Sequence, residues 1–129
     1  MTTQRVYSGA PWEKTVGYCR ALRRGPFIAV SGTAAVEPDG SAHAPGDAYK
    51  QARRCLEIAL SALGELGAMP QDVIRTRWFV TDVGKWKEVG KAHLEVFGAA
   101  PPTSSMVQVA RLIDPKMMVE VEMDAIVTH

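Results

Sequence analysis

Between residues 47 and 67 the apolar positions Ala48, Ala52, Cys55, Leu56, Ala59, Leu63 and Leu66 recur at spacings of three and four, which places them on one helical face. Asp47 is positioned to cap the start, and Gly67 followed by Pro70 is a stop signal. The pattern then changes. Residues 73–81 (VIRTRWFVT) are rich in β-branched and aromatic side chains and predict a central strand. A second helix follows, with Asp82 as its expected N-cap and Trp86, Val89, His93 and Val96 or Phe97 as its inward face. The plainest alternation spans residues 117–127, where Val119, Val121, Met123, Ala125 and Val127 take one face and Glu120, Glu122 and Asp124 the other. Shorter strand-like runs occupy residues 5–7, 18–24, 27–31 and 103–109, with Gly25 and Pro26 turning one hairpin. Residues 33–46, rich in Gly, Pro, Asp and Ser, read as a surface loop. The order βββαβαββ predicts a two-layer α+β sandwich of about six strands in a mixed sheet, with both helices on one face.

Composition narrows this further. A chain of 129 residues, 47% hydrophobic and 22% charged, fits one domain over residues 1–129, without repeats or an internal linker. So short a chain leaves much surface uncovered, and an oligomer that hides one sheet face would stabilise it. A net charge of +1 gives no footprint for nucleic acid or an anionic membrane. Cys19 and Cys55 lack a C-x-x-C spacing or a neighbouring His cluster, so no metal site is expected and both thiols are read as reduced. No signal-peptide core or bilayer-length apolar window occurs, and a cytoplasmic location is expected.

Three carboxylates at every second position of one strand repel each other unless something offsets them. One reading of Glu120, Glu122 and Asp124 is a solvated face. The other pairs them with Arg75 and Arg77, which share a face of the central strand, and has an oligomer desolvate the charges so that a carboxylate pKa shifts into a useful range. His93 falls on an apolar helix face, where a packed imidazole is expected, while His43 lies in the loop and His129 at the terminus. No Ser/His/Asp or Cys/His ordering is evident. Trp12, Trp78 and Trp86 read as core or interface anchors, and Ser31-Gly32 as a strand end with a tight turn.

Several stretches together resemble the Rid (reactive intermediate deaminase, YjgF-like) family across almost the whole chain. They are Gly17-Tyr18, Val30-Ser31-Gly32, Phe79-Val80-Thr81-Asp82, the run from Val107 through Leu112 that matches V-x-V-A-R-L, and Val119-Glu120-Val121-Glu122. The resemblance implies a chorismate-mutase-like fold, a homotrimer with sheets around a central barrel, and small-molecule clefts between subunits. In deaminase members an Arg grips the carboxylate of a 2-imino or 2-enamino acid and a Glu positions the attacking water. Carried over, the Glu is Glu120, with Tyr18 and Ser31 lining the cleft, and no metal or organic cofactor is implied. Departures accompany the matches. Ser104, beside Ser105, stands where the family has its carboxylate-binding Arg, Met106 replaces a Cys, and Gly90 replaces an Asn of the second helix. Residues 10–13 (APWE) suggest a divergent subgroup. The resemblance therefore implies a hydrolase of small imines or enamines that handles 2-iminobutyrate and 2-aminoacrylate poorly, with Arg77 as the nearest candidate to replace the missing cation. The alternatives are a non-catalytic binding protein and the ribonuclease activity by which some relatives are labelled.

Overall fold

The computed structural model describes residues 2–129. Six strands form one sheet in the order β1-β2-β3-β6-β4-β5: β1 (Thr3–Val6), β2 (Ala21–Arg24), β3 (Phe27–Ala34), β4 (Val73–Val80), β5 (Thr103–Gln108) and β6 (Val119–Ile126). All pairings are antiparallel except β4 with β5. That one parallel pair needs a crossover, which helix α2 (Trp86–Phe97) supplies. Helix α1 (Ala48–Glu65) carries the chain from β3 past β6 to β4. Both helices pack together on one sheet face, giving the mixed six-stranded, two-layer arrangement expected from the sequence.

The periodicities explain the core. Every apolar position assigned to the inner face of α1 is buried, and Asp47 caps this helix by accepting from the Lys50 amide. Val119, Val121, Met123 and Ala125 of β6 face the helices and are at most 1% exposed, while Glu120, Glu122 and Asp124 lie on the open face. The buried Gln51 locks α1 to the chain entering β6, donating to the Lys116 carbonyl and accepting from the Met118 amide. Cys55 is buried within the same core, and its thiol is pushed upward in pKa, mainly by that burial. Both cysteines are free thiols.

Four details differ from the sequence reading. The strand placed at residues 27–31 continues to Ala34, because Ser31 and Gly32 form an irregularity inside β3 instead of its end; pairing with β6 shifts between Val30 and Thr33. The extra residue allows Thr33 to return to the core, where it is 1% exposed. Second, β2 starts at Ala21 and not at Tyr18, since residues 13–17 make a single π-helical turn that leaves the chain in a bend. Third, Asp82 caps a short 3-10 turn (Val83–Lys85) by accepting from the Gly84 amide, and α2 begins only after it. Finally, Trp86 is 55% exposed, because it opens α2 before the helix turns Val89, Ala92 and Phe97 inward; the Lys87 ammonium sits over its ring.

Candidate functional site

The irregularity in β3 builds the site. At Gly32 a side chain would crowd Glu120 on the adjacent strand: an added Cβ would stand 3.1 Å from Glu120 Cδ and 3.2 and 3.3 Å from its two oxygens. The absence of a side chain there is what lets the carboxylate lie against the β3 backbone. Glu120 is half-buried, and no cation lies within ion-pair distance of it among the described residues. Burial pushes its pKa above the usual carboxylate range; the Arg20 guanidinium opposes the shift and Glu122 adds to it.

Arg20 organises the surroundings. Its Nη2 donates to the Gly32 carbonyl at 2.5 Å, and its guanidinium carbon stands 5.8 Å from the centre of the Tyr18 ring. Ser31 closes the same corner from the other strand, its amide donating to the Arg20 carbonyl at 2.9 Å and its hydroxyl to the Cys19 carbonyl at 2.7 Å. Tyr18, Cys19 and Ser31 also line an open groove of about 880 Å³, together with Arg5, Tyr7 and Lys14. Glu120 does not line this groove; it lies across the β3 backbone beside Gly32.

The structure gives the APWE segment a role. Glu13 is 4% exposed, and its carboxylate accepts from the Ser8 amide and hydroxyl and from the Gly9 amide. A buried acid thereby pins the loop that borders the groove. Nothing in the spacing of residues 8–17 signals this, because the contacts are local turns and not a periodic face.

Arg77, Ser104 and Ser105 lie elsewhere on the sheet. Arg77 donates to Glu122 at 3.1 Å and also contacts Asp124 at 3.3 Å, so the charge-balanced sheet face exists within one chain. Arg75, paired in register with Asp124, has no ion pair within 4 Å among the described residues. Ser105 pairs with Arg77 in register and shares its open face. Ser104 is one residue away and therefore on the helix side, where its Oγ accepts from Thr76 Oγ1 at 2.8 Å. Thr76 Oγ1 is also 2.8 Å from His93 Nε2, and His93 packs between Trp78 and Phe97. The packed imidazole was legible in the sequence; the hydroxyl chain attached to it was not. Among the described residues no three His, Cys, Asp or Glu side chains are arranged to hold a metal, and no helix is long and apolar enough to cross a membrane.

Comparison with known proteins places this arrangement. The family described as Endoribonuclease L-PSP matches residues 9–127. The chain belongs to this family. An uncharacterized protein of Streptomyces coelicolor is 35% identical over 122 residues, covering 95% of this chain and 90% of its own. "Putative reactive intermediate deaminase TdcF" of Escherichia coli is 32% identical over 112 residues, with 84% of each chain covered. Among solved structures, a Mycobacterium tuberculosis protein described as a member of the YjgF/YER057c/UK114 family superposes with a TM-score of 0.89 at 42% identity, covering 98% of this chain and 100% of that one.

Proposed function

We propose that this chain is a homotrimeric hydrolase of small reactive imines or enamines, working in a cleft between subunits with Glu120 as the residue that orients water. The observation that carries this reading is the Glu120 carboxylate: half-buried, unpaired, raised in pKa and seated on a residue without a side chain. A carboxylate so poised accepts a hydrogen bond from water and takes its proton as the oxygen adds to the C=N carbon. The proton is then returned to nitrogen, and collapse of the adduct releases ammonia and a carbonyl compound. Tyr18 and Ser31 shape the wall beside it. The deaminase name carried by the E. coli relative supports the same reaction class.

An assembly is required if Ser104 and Ser105 serve the same ligand as Glu120. Within one chain they lie on an edge strand two strands from β6, and Ser104 is on the opposite face. The open sheet face, with Phe27 57% and Val107 49% exposed around the Arg77 cluster, supplies apolar surface for a chorismate-mutase-like trimer to cover. Poor turnover of 2-imino acids follows from Ser104 at the position of the family's Arg, which sets the chain in a divergent subgroup. Arg77 does not replace that cation, because two carboxylates already hold it.

The test is keto-acid or carbonyl release from enzymatically generated imines, with and without carboxylate groups, against the spontaneous rate. Acceleration that Glu120→Gln removes and Glu122→Gln keeps supports the reading. Equal effects of the two variants, or a monomer mass by light scattering at micromolar concentration, would overturn it. A non-catalytic binding protein is the second reading, favoured by the engagement of the Ser31 hydroxyl with the Cys19 carbonyl. The ribonuclease reading rests on the family description alone; a net charge of +1 gives it no electrostatic support.

A further inference from the structure

The charged side chains that line the open groove are Arg5, Glu13 and Lys14, and they do not cancel. Glu13 is turned into the protein, 4% exposed, with its carboxylate accepting from the Ser8 amide and hydroxyl and from the Gly9 amide. Arg5 and Lys14 are exposed, and neither makes an ion pair within 4 Å among the described residues. The groove therefore presents two cations and withholds its carboxylate. A concave surface with charge of one sign raises the local concentration of ligands of the other sign. Tyr7, Pro11 and Leu22 line the same groove and offer apolar contact, and its volume of about 880 Å³ has room for more than a two- or three-carbon acid.

Strand register fixes how far Arg5 lies from Glu120. Arg5 pairs with Leu22, Leu22 with Ala29 and Ala29 with Asp124, one row across the sheet. Adjacent strands are about 4.8 Å apart, so three intervals put the Arg5 backbone roughly 14 Å from β6. Along β6, Asp124 is four residues from Glu120, a further offset of about 13 Å. A carboxylate attached directly to an imine carbon at Glu120 is thus out of reach of Arg5, whereas one at the end of a chain is not. We propose that the groove is an anion site in which Arg5 and Lys14 hold the charged end of an elongated, largely apolar acid, so that the imines this chain takes carry their acid group several bonds from the C=N carbon. The binding of the acid rests on the groove alone; the class of imine rests on the hydrolase reading above.

The full-length protein is titrated at low ionic strength with hexanoate and with hexanamide, which match in size and differ in charge, and binding is read from NMR shifts of Tyr18, Leu22 and Ser31. Hexanoate is expected to bind about tenfold more tightly, since each partly exposed contact with a cation contributes a few-fold. Arg5→Gln and Lys14→Gln, both at exposed positions, are each expected to reduce that preference about threefold and together to remove it. Arg75→Gln is the control for general charge, because Arg75 is an exposed cation that does not line the groove, and it is expected to leave the preference unchanged. Equal affinities, no shift at the groove residues, or the same loss with Arg75→Gln would overturn the inference. With an imine that carries a terminal carboxylate, Arg5→Gln is expected to raise KM and leave kcat unchanged. Selective hexanoate binding with imine hydrolysis at the spontaneous rate would sink the hydrolase reading and spare the groove; hydrolysis without hexanoate selectivity would do the reverse.

Discussion

Gly32→Ala perturbs the candidate site through a single methyl group. The new Cβ would stand 3.1 Å from Glu120 Cδ and 3.2 and 3.3 Å from the two oxygens, where ordinary contacts between such atoms lie at about 3.5–4.0 Å. The carboxylate must retreat by a few tenths of an ångström. It is the end of a flexible side chain, so the fold survives, and the stability loss is expected at the lower end of the about 1–3 kcal/mol typical of overpacking. Turnover responds more strongly. Misplacement by about 1 Å can cost on the order of a hundredfold, so a few tenths predict a loss of roughly fivefold in imine hydrolysis. Denaturant unfolding measures the first effect and carbonyl release the second. Glu120→Asp in the same background shortens the side chain and relieves the contact, so the two substitutions are expected to be non-additive in stability. Full turnover in Gly32→Ala, with only stability lowered, would show that the close approach serves packing and that Glu120 has no positional role in the chemistry.

Other consequences are equally direct. Because the folded-state pKa of Glu120 is raised by burial, its contribution to stability is present below the unfolded-state carboxylate pKa and is lost as pH rises through the folded value; Glu120→Gln is expected to remove that loss and to unfold later than the parent at neutral pH, in pH-stepped denaturation. Arg77→Met leaves Glu122 and Asp124 facing each other without their cation and is expected to destabilise by about 1 kcal/mol, with a smaller difference at high salt, because the pair is partly exposed. Glu13→Ala removes the acceptor for the Ser8 and Gly9 amides and is expected to cost about 1–3 kcal/mol in chemical denaturation while accelerating hydrogen exchange at those amides. A thiol reagent is expected to modify Cys19 in the native protein and Cys55 only after unfolding, since burial keeps the Cys55 thiol protonated; rapid native labelling of both would contradict the core placement.

What was legible in the sequence were the surfaces with a strict period. The alternation of β6 and the stripe of α1 each have one face that must leave water, so their orientation could be read without knowing what they pack against. The pairing of Arg77 with the acidic row followed from the same parity. Features that depend on one residue of register were harder to read. Ser31-Gly32-Thr33 has the composition of a turn, and only pairing with β6 reveals that the strand continues through it. Ser104 and Ser105 are chemically alike, yet strand parity sends one toward Thr76 and the other to the face of Arg77. Trp86 kept the helical spacing but lost its burial because a 3-10 turn occupies the three residues before it. Arg20 and Glu13 were missed because each acts on backbone groups of its own neighbourhood, which leaves no periodic trace.

Arg20 is also the reason the site holds an unpaired carboxylate instead of an ion pair. A cation beside a half-buried carboxylate would ordinarily swing onto it and draw its pKa down. Here the guanidinium is committed first to the Gly32 carbonyl and lies against the Tyr18 ring, while its Nε is buried without a partner. Leaving that donor unsatisfied costs about 1–3 kcal/mol, which the local packing must offset. The result is a positive charge that opposes the shift in Glu120 without cancelling it, and a Gly32 carbonyl held by a hydrogen bond. Arg20→Lys preserves the charge but loses the planar fork that reaches Gly32, so its ammonium is free to move toward Glu120. The substitution is therefore expected to lower the Glu120 pKa, seen in the titration of its side-chain carboxyl carbon, and to slow imine hydrolysis although no charge has been removed. An unchanged titration would mean that distance alone, and not the bond to Gly32, keeps the two groups apart.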